Sequence, residues 1–259
     1  MGTNLAVKGV LLDIDGTLQD ANGAIAGAGD AVRQLRSTGL PLRFLTNTSR
    51  LSRVQVMEVL RSYGFGADLA EVYTASVGAS LWLQGQRVRR AAVCVPAQAL
   101  VDFPSQLLDE ERPEVVLVGD LGNEWTFSRL NQVFRWLLAG AELVAIHRNR
   151  YWRTEHGLTL DAGPFVAALE YATGQVAKTI GKPSPEFFET AARSMGLETG
   201  DVVMVGDDLS TDVAGAHSAG AKAVLVRTGK FREDDLAASR SRPEFVIDSI
   251  CGLPALLSG

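Results

Sequence analysis

Two aspartates, Asp13 and Asp15, follow an apolar run near the start of the chain. The run, Gly9-Val10-Leu11-Leu12, is typical of a buried strand, and side chains two residues apart on a strand point to the same face. We therefore expect both carboxylates on one face. Carboxylates so close repel each other, and a hard divalent cation with oxygen ligands relieves the repulsion. The segment predicts a divalent-metal site, with an ordinary acidic turn as the alternative.

A hydroxyl and an amide follow a second apolar segment. Residues 41–46 form a predicted strand that ends at Thr46 and continues into Asn47-Thr48-Ser49. In a parallel sheet this strand end would lie beside the first, where the Thr46 hydroxyl and the free backbone N–H groups of the turn could bind a phosphate. A turn that only caps the next helix is the alternative interpretation of the same residues.

Lys182 lies in Gly181-Lys182-Pro183-Ser184-Pro185, directly before a predicted helix. At this position the positive end of the helix dipole adds to the charge of the lysine. A solvated side chain is the usual explanation for a lone surface lysine. Together with the carboxylates Asp13 and Asp15 and the turn after Thr46, an anion-binding role is the favoured interpretation of Lys182.

A second strand-and-carboxylate segment occurs at Val202-Val203-Met204-Val205-Gly206-Asp207-Asp208. Asp207 is predicted to complete an oxygen shell with Asp13 and the carbonyl of Asp15. Asp212, on the first turn of the next helix, is expected to orient metal-bound water or Lys182. Asp208 would either support the metal or be solvated.

The elements that position these residues alternate between strand-like and helix-like patterns, which predicts an α/β fold with a parallel sheet. Predicted strands are Val10–Ile14, Pro41–Thr46, Ala91–Val95, Val115–Val118, Leu143–Ile146, Val202–Val205 and Ala223–Val226. Predicted helices are Asp30–Thr38, a helix that a Ser52–Gln55 capping box starts and Gly64 ends, Thr126–Leu138, Pro164–Thr173, Pro185–Met195 and Thr211–Ala219. A second set of alternating strands and helices begins near residue 80, and the pattern of the first segment continues after Gly174. We expect a core of residues 1–79 and 179–259 and an inserted α/β unit of residues 80–178.

Composition indicates a folded globular protein, with 46% hydrophobic residues, 21% charged residues and a formal net charge of -5 across 259 residues. The acidic balance argues against a nucleic-acid surface. The first residues lack the pattern of a secretory signal, and no apolar segment has membrane-spanning length. We expect a cytoplasmic protein that binds neither nucleic acid nor membrane.

Four motifs, taken in order, resemble the signature motifs of the haloacid dehalogenase superfamily. They are Asp-x-Asp-Gly-Thr at residues 13–17, Thr46-Asn47 after a strand, Gly181-Lys182-Pro183, and Gly206-Asp207-Asp208 with Asp212. The α/β stretch between Thr46 and Lys182 occupies the place where type IIA members insert a cap domain. The resemblance implies a doubly wound, Rossmann-like parallel-sheet core with an inserted α/β cap, and cap surfaces that pair into a homodimer.

The same resemblance implies an Mg²⁺-dependent phosphatase that acts on a small phosphorylated substrate through an aspartyl-phosphate. It implies that Asp13 is the nucleophile and Asp15 the general acid and base. The phosphoryl-binding groups would be Thr46, Asn47 and Lys182, and Lys182 would also neutralise charge. The metal ligands would be Asp13, Asp15 and Asp207, with Asp212 and Asp208 in support. Within the family, an acid at position 15 is a phosphatase feature that dehalogenases lack. A phosphotransferase or mutase and a phospholigand-binding module are the alternatives. P–O, P–N and pyrophosphate bonds all remain open as targets.

Substrate specificity is predicted to reside in the inserted unit, near His147 and Arg148. These residues follow a predicted strand, and Arg150 and Arg153 come soon after them. The arginines could bind a second anionic group of the substrate, with a solvated charged loop as the alternative. His147 could reach the substrate or be a buried histidine of the inserted unit.

Overall fold

The computed structural model describes residues 5–154 and 157–257. In chain order its strands are β1 (Gly9–Asp13), β2 (Gln19–Asp20), β3 (Gly23–Ala24), β4 (Leu42–Thr46), β5 (Val72–Thr74), β6 (Ala91–Cys94), β7 (Val115–Val118), β8 (Glu142–Ala145), β9 (Tyr151–Thr154), β10 (Gly157–Leu160), β11 (Lys178–Thr179), β12 (Val202–Gly206), β13 (Lys222–Val226) and β14 (Phe245–Ile247). Its α-helices are α1 (Ala28–Ser37), α2 (Arg53–Ser62), α3 (Ala75–Gly85), α4 (Ala97–Leu100), α5 (Phe127–Leu138), α6 (Ala162–Thr173), α7 (Pro185–Arg193), α8 (Ala214–Ser218), α9 (Glu233–Ala238) and α10 (Leu253–Leu257). A π-helical turn, Leu209–Val213, directly precedes α8.

The chain divides into two compact units. The core unit comprises Met1–Thr46, Val56–Tyr73 and Lys182–Gly259, and the cap unit comprises Asn47–Gln55 and Thr74–Gly181.

The core unit contains a six-stranded sheet with the order β14-β13-β12-β1-β4-β5. Strand β1 lies between β12 and β4 and runs parallel to both, with Leu12 opposite Val205 on one side and Phe44 on the other. Strands β4 and β5 extend the sheet on one side of β1, and the later strands β12, β13 and β14 extend it on the other side. At such a switch point, doubly wound sheets bind ligands at the carboxyl ends of the strands. The structure confirms the predicted parallel-sheet α/β fold.

Strands β1 and β12 are apolar at nearly every position because all five residues of each are buried. A parallel strand covered on both faces has no position at which water can solvate a polar side chain. Functional polar groups therefore begin where the strands end. Asp13 and Thr46 are the last residues of β1 and β4, and Asp207 follows β12 directly.

The cap unit contains a four-stranded sheet with the order β11-β8-β7-β6, in which each neighbouring pair is parallel. The two faces of this sheet bury alternate residues of each strand, as the pleat requires. One face buries Ala92, Cys94, Val116 and Val118 against α5 and α6 side chains that include Val133, Trp136 and Val166. The other face buries Val93, Val115 and Leu117. An antiparallel hairpin, β9–β10, follows β8.

The boundaries of the cap unit differ from the predicted seams at residues 80 and 178. Helix α3 belongs to the cap unit from its start, because Ala75, Ala79 and Leu83 lie on one side of the helix and pack in the same cluster as Val93. Ile180 packs in that cluster as well. The segment Asn47–Gln55 also groups with the cap unit, through contacts to loops about 70 or more residues later in the chain.

Sequence patterns did not predict α3 or the β9–β10 hairpin. The first turns of α3, Ala75-Ser76-Val77-Gly78-Ala79-Ser80, consist mostly of small residues, and small residues weaken the apolar periodicity by which a helix is recognised. The predicted capping box of α2 is present, since the Gln55 N–H donates to Ser52 Oγ and the Ser52 N–H donates to Gln55 Oε1. Across the described ranges, no helix combines the length and the apolar character needed to cross a membrane.

Candidate active site

Asp13 and Lys182 form a buried ion pair in the core unit. Each is 5% exposed. The Lys182 ammonium donates to Asp13 Oδ1 at 2.5 Å and to Asp212 Oδ1 at 2.7 Å. Burial alone would lower the pKa of Lys182, but the two carboxylates outweigh burial and raise it. The lysine therefore remains a cation at physiological pH, held between two acids.

The side chain of Asp207 occupies a slot between two glycine turns. Its Oδ2 accepts a hydrogen bond of 2.6 Å from the backbone N–H of Lys230. A Cβ atom at Gly16 would lie 2.0 Å from this oxygen, and one at Gly229 would lie 1.9 Å from it. Both glycines have positive φ, 88° and 61°, which residues with a side chain rarely adopt. The slot therefore requires glycine at both positions.

Asp212 lies in the π-helical turn and connects the lysine to the backbone after β12. Its Oδ1 accepts from Lys182, and its Oδ2 accepts from the Asp208 N–H at 3.1 Å. A Cβ atom at Gly206 would lie 2.2 Å from Asp212 Oδ2. This carboxylate therefore contacts Lys182, one of the two groups that it is expected to orient.

Asp208 has a different position from the other acids. Its Oδ1 accepts from the N–H groups of Ser210 and Thr211 at 2.9 and 3.1 Å, and its Oδ2 lies 3.1 Å from Lys230 Nζ. Although burial opposes them, the hydrogen bonds from Ser210 and the charge of Lys230 hold the pKa of Asp208 at about 2. Asp208 thus caps the turn after β12, and its oxygens face loop groups, in contrast to the expected supporting role at a metal.

Asp13, Asp207 and Asp212 have the spacing of a cation site. Within the described residues, they are the group of acidic, histidine or cysteine side chains that could share a metal ion, with one oxygen of each lying within 4.8 Å of the others. Burial raises the pKa of Asp13 well above its usual range; Lys182 opposes this and the neighbouring acids add to it. Burial and the charge of Asp212 raise the pKa of Asp207 to about 7. Three acids and one lysine leave an excess of negative charge that a divalent cation would neutralise.

Asp15 and Thr46 lie close in the chain to the ends of β1 and β4. The β1 strand ends at Asp13 and the chain turns, with the Leu18 N–H donating to the Ile14 carbonyl, so Asp13 is buried while Asp15 is exposed. Strand β1 ends before Asp15, whose Oδ1 accepts from Gln19 Nε2 at 2.9 Å. Thr46, 3% exposed, comes one residue after Leu45, which pairs with Asp13 in the sheet register.

Residues 47–50, named the 47–50 turn below, contact other parts of the cap unit. Asn47 Nδ2 donates to Asn149 Oδ1 at 3.3 Å. Ser49 is fully buried beside His147, with 3.0 Å between its Oγ and Nε2 of the imidazole. Arg50 Nη1 donates to both carboxylate oxygens of Asp120 at 3.3 Å.

His147 and Arg148, the predicted specificity residues, both have partners within the cap unit. His147 is 1% exposed because it follows β8 into the interior of the cap unit, where burial lowers its pKa against the opposing charges of Asp161 and Asp120. Arg148 forms a two-point ion pair with Glu170, with both N–O distances 2.7 Å. Of the other arginines, Arg150 is exposed, and the side chain of Arg153 lies outside the described part of the structure.

Sequence reasoning missed the backbone at Lys230 and the side chains of Ser49, Asp120 and Asp161. A signal existed for Asp120, since an apolar run and a glycine precede it, as they precede Asp207. Asp161 precedes a helix and its carboxylate accepts from the Ala162 N–H, which is a recognisable cap. The Lys230 N–H bond has no local signature, because it joins positions 23 residues apart.

Comparisons with known proteins agree with this geometry. The family model "Haloacid dehalogenase-like hydrolase" matches residues 10–105, and the model "HAD-hyrolase-like" matches residues 179–253. Haloacid dehalogenase-like hydrolase domain-containing protein 2 from Bos taurus is 40% identical over 91% of this chain and 90% of its own length. Phospholysine phosphohistidine inorganic pyrophosphate phosphatase from Bos taurus is 38% identical over 99% of this chain and 96% of its own.

Solved structures of phosphatases have the same fold. A p-nitrophenyl phosphatase from Archaeoglobus fulgidus superposes with a TM-score of 0.90 and 26% identity over 98% of this chain and 100% of that one. A glycerol phosphate phosphatase from Mycobacterium tuberculosis, solved in complex with magnesium, has a TM-score of 0.88 and 28% identity over 98% of this chain and 78% of that one. Sequence, fold and the four-motif site agree, and the chain belongs to the haloacid dehalogenase-like hydrolases, as a phosphatase of that family.

Proposed function

We propose that the chain is an Mg²⁺-dependent phosphatase that hydrolyses a small phosphorylated substrate through an aspartyl-phosphate on Asp13. The observation that supports this most directly is the buried group of Asp13, Lys182, Asp207 and Asp212. An attacking carboxylate and a phosphate dianion repel each other, so the reaction needs a cation at the nucleophile. Lys182 lies 2.5 Å from Asp13 and supplies one.

Mg²⁺ fits the remaining donors. The clustered side chains offer only carboxylate oxygens, the ligands that hard cations prefer, and burial and mutual repulsion raise the pKa values of Asp13 and Asp207. Asp13, Asp207 and the Asp15 carbonyl would hold the ion, with Asp212 in support. When bound, it would neutralise charge on the nucleophile and on the transferring phosphoryl group. The magnesium complex of the related glycerol phosphate phosphatase supports this choice of metal.

Two steps carry the phosphoryl group to water. In the first, an Asp13 oxygen bonds to phosphorus, the bond to the leaving oxygen breaks, and Asp15 donates a proton to that oxygen. In the second, water attacks phosphorus, Asp15 accepts its proton, and the Asp13 carboxylate and inorganic phosphate are released. Lys182 remains protonated and stabilises charge on the transferring oxygens, while Thr46 and Asn47 bind them.

Hydrolysis of p-nitrophenyl phosphate tests the metal requirement. We expect no turnover in EDTA, recovery with Mg²⁺, and no recovery with Ca²⁺, because calcium tolerates more ligands and can draw both Asp13 oxygens onto itself. The Asp13→Asn variant, purified in parallel, measures any contaminating phosphatase. Full activity in EDTA would contradict the proposal.

The class of bond cleaved is tested with a panel of substrates. We propose that phosphate release be measured on phosphate monoesters, on phosphoramidates with P–N bonds and on pyrophosphate. The name of one relative, phospholysine phosphohistidine inorganic pyrophosphate phosphatase, covers the latter two classes. A monoester preferred at least about tenfold in kcat/KM would assign the chain to P–O bonds, and the reverse preference would assign it to the chemistry of that relative.

A further inference from the structure

A buried network in the cap unit holds the 47–50 turn. Ser49 Oγ accepts a hydrogen bond of 2.8 Å from the Asp120 N–H and lies 3.0 Å from His147 Nε2. Nε2 of His147 also lies 3.6 Å from an Asp161 oxygen. Ser49, Asp120, His147 and Asp161 are all at least nine-tenths buried, so their polar atoms are shielded from bulk solvent.

The residues on either side of Ser49 are held by the same two loops of the cap unit. Asn47 donates to Asn149, two residues after His147. Arg50 pairs with Asp120, and its guanidinium lies 5.3 Å from the centre of the Trp152 ring. The turn is therefore fixed by the loop that follows β7 and by the loop that follows β8.

The surrounding backbone leaves room for little else. A Cβ atom at Gly119 would lie 2.8 Å from Ser49 Oγ and 2.8 Å from a methyl group of Val95. A Cβ atom at Gly181 would lie 2.7 Å from Asn47 Oδ1. The Ser49 hydroxyl thus packs directly on the backbone at Gly119, and close packing of this kind restricts the turn to one conformation.

The network has the residue types of a nucleophile triad without its geometry. In a triad, the acid and the serine contact opposite nitrogens of the imidazole. Here Ser49 and Asp161 both face Nε2, and Nδ1 has no hydrogen-bond partner among the described residues. Ser49 is also fully buried. These residues are therefore suited to positioning and not to attack on a substrate.

We propose that Ser49 and His147 are positioning residues that fix the phosphate-binding turn and thereby set the affinity for the phosphoryl group. The inference rests on the proposed phosphate-binding role of Thr46 and Asn47, which directly precede this network. A binding group held in its bound conformation loses less entropy when ligand arrives. A contact made equally in the ground state and the transition state alters KM and leaves kcat nearly unchanged.

The test compares Ser49→Ala and His147→Leu with His217→Leu. His217 is the control histidine because it also has side-chain partners, Ser241 and Glu244, but these belong to the core unit and not to the network around Ser49. Three quantities are measured below the melting temperature of each protein: kcat and KM for p-nitrophenyl phosphate, and the dissociation constant of inorganic phosphate by calorimetry. His147→Gln retains an N–H at the end of the side chain and serves as the conservative variant.

We expect KM and the phosphate dissociation constant to rise roughly five- to twentyfold in Ser49→Ala and His147→Leu, with kcat within about twofold of wild type. His147→Gln should recover most of the affinity, and His217→Leu should resemble wild type. Gly119→Ala, which displaces the Ser49 hydroxyl while both network side chains remain, should weaken phosphate binding in the same way.

Two outcomes would overturn the inference. Folded Ser49→Ala and His147→Leu proteins that bind phosphate as tightly as wild type would show that the network does not position the turn. A loss confined to kcat or to thermal stability would assign these residues to the chemical step or to the fold. Failure of the proposed function is distinguishable, because a wild-type protein without Mg²⁺-dependent turnover can still be titrated with phosphate.

Discussion

Asp13 and Asp15 are two residues apart, and the structure places them in opposite surroundings. Asp13 is buried and hydrogen-bonded to Lys182, whereas Asp15 is exposed and bonded to Gln19. A nucleophile benefits from a fixed orientation and an adjacent cation, and a proton carrier benefits from access to water and to the leaving group. Their environments therefore match the two roles proposed for them.

This division of roles predicts different kinetic losses. Asp13→Asn should abolish turnover, since an amide cannot accept the phosphoryl group. Asp15→Asn should slow alkyl phosphates at least about tenfold more than p-nitrophenyl phosphate, because activated leaving groups need less protonation. Rates on a series of esters with graded leaving-group pKa measure both effects. An Asp13→Asn protein that kept a tenth or so of the wild-type rate would exclude covalent catalysis at this residue.

Arg148 should contribute little to catalysis, because its guanidinium is already paired with Glu170. We expect Arg148→Ala to change kcat/KM for any substrate by less than about twofold and to lower the free energy of unfolding by at most about 1 kcal/mol, the usual range for a partly exposed ion pair. Arg150→Ala, at an exposed neighbouring position, is the matched control. A tenfold loss in Arg148→Ala alone, confined to substrates that carry a second anionic group, would instead place this arginine at the substrate.

At the residue scale, the sequence singles out positions that have a local pattern and leaves open those whose partners are distant in the chain. Asp13 and Asp207 each end or follow an apolar strand, and Lys182 precedes a helix, so each has a local signature. The side-chain partner of buried His147 is Ser49, which lies 98 positions earlier. No local pattern records such a contact, and the same residue type serves equally in a substrate pocket.

Among the elements, the loops that follow the strands shape the site as much as the strands do. The Thr228 hydroxyl donates to the Gly16 carbonyl at 2.5 Å and joins the loop after β13 to the turn after β1. The next two residues contact Asp207. Gly229 leaves room for its carboxylate because it has no side chain, and the Lys230 N–H donates a hydrogen bond to it. A loop without a catalytic side chain thus determines the orientation of a proposed metal ligand.

Gly229→Ala should therefore weaken metal binding. The new methyl group would overlap Asp207 Oδ2, so we expect the Mg²⁺ concentration for half-maximal activity to rise by at least about tenfold. Gly220→Ala is the matched control, since Gly220 also has positive φ, 81°, but its nearest neighbour to an added Cβ lies at 3.8 Å. The control should lose stability alone, by about 1 kcal/mol. Equal Mg²⁺ requirements in the two variants would show that the Gly229 slot does not orient Asp207.

Seven strands were predicted, and each agrees with the observed strand to within one residue at either end. They are β1, β4, β6, β7, β8, β12 and β13. Most residues of these strands are buried, so an apolar run marks each of them, although Arg43 interrupts the run in β4. The two strands of the β9–β10 hairpin have four residues each, and their apolar residues Tyr151, Leu158 and Leu160 are exposed, so no buried apolar run marks them. Helix α3, rich in small residues, is defined by its packing on the cap sheet and not by its own periodicity.

Across the whole molecule, the site concentrates negative charge in a protein that is already acidic, with a formal net charge of -5. Three buried carboxylates are clustered and only two of them contact Lys182, an arrangement that opposes folding when no further cation is present. A ligand that binds the folded chain and not the unfolded one stabilises it by mass action. The proposed metal should therefore affect the stability of the fold as well as its activity.

Addition of Mg²⁺ should raise the midpoint of thermal unfolding by a few degrees, and the shift should be larger near pH 8 than near pH 5. Burial raises the pKa of Asp13 well above its usual range and that of Asp207 to about 7. Both folded-state values lie above the unfolded value of 3.8, so these groups destabilise the metal-free fold most above about pH 7. As pH falls from about 7 toward 4, they bind protons, their destabilising effect is relieved, and protons compete with the metal.

Unfolding curves recorded in EDTA and in Mg²⁺ across this pH range measure the difference, and comparison at each pH cancels groups that do not contact the metal. His147, whose lowered pKa makes the fold less stable as pH falls through its unfolded value of 6.5, is one such group. Asp207→Asn should abolish most of the Mg²⁺-dependent shift at every pH, because a carboxamide is a weaker ligand and carries no charge. A shift that is independent of pH, or one that persists in Asp207→Asn, would mean that the ion binds away from these carboxylates.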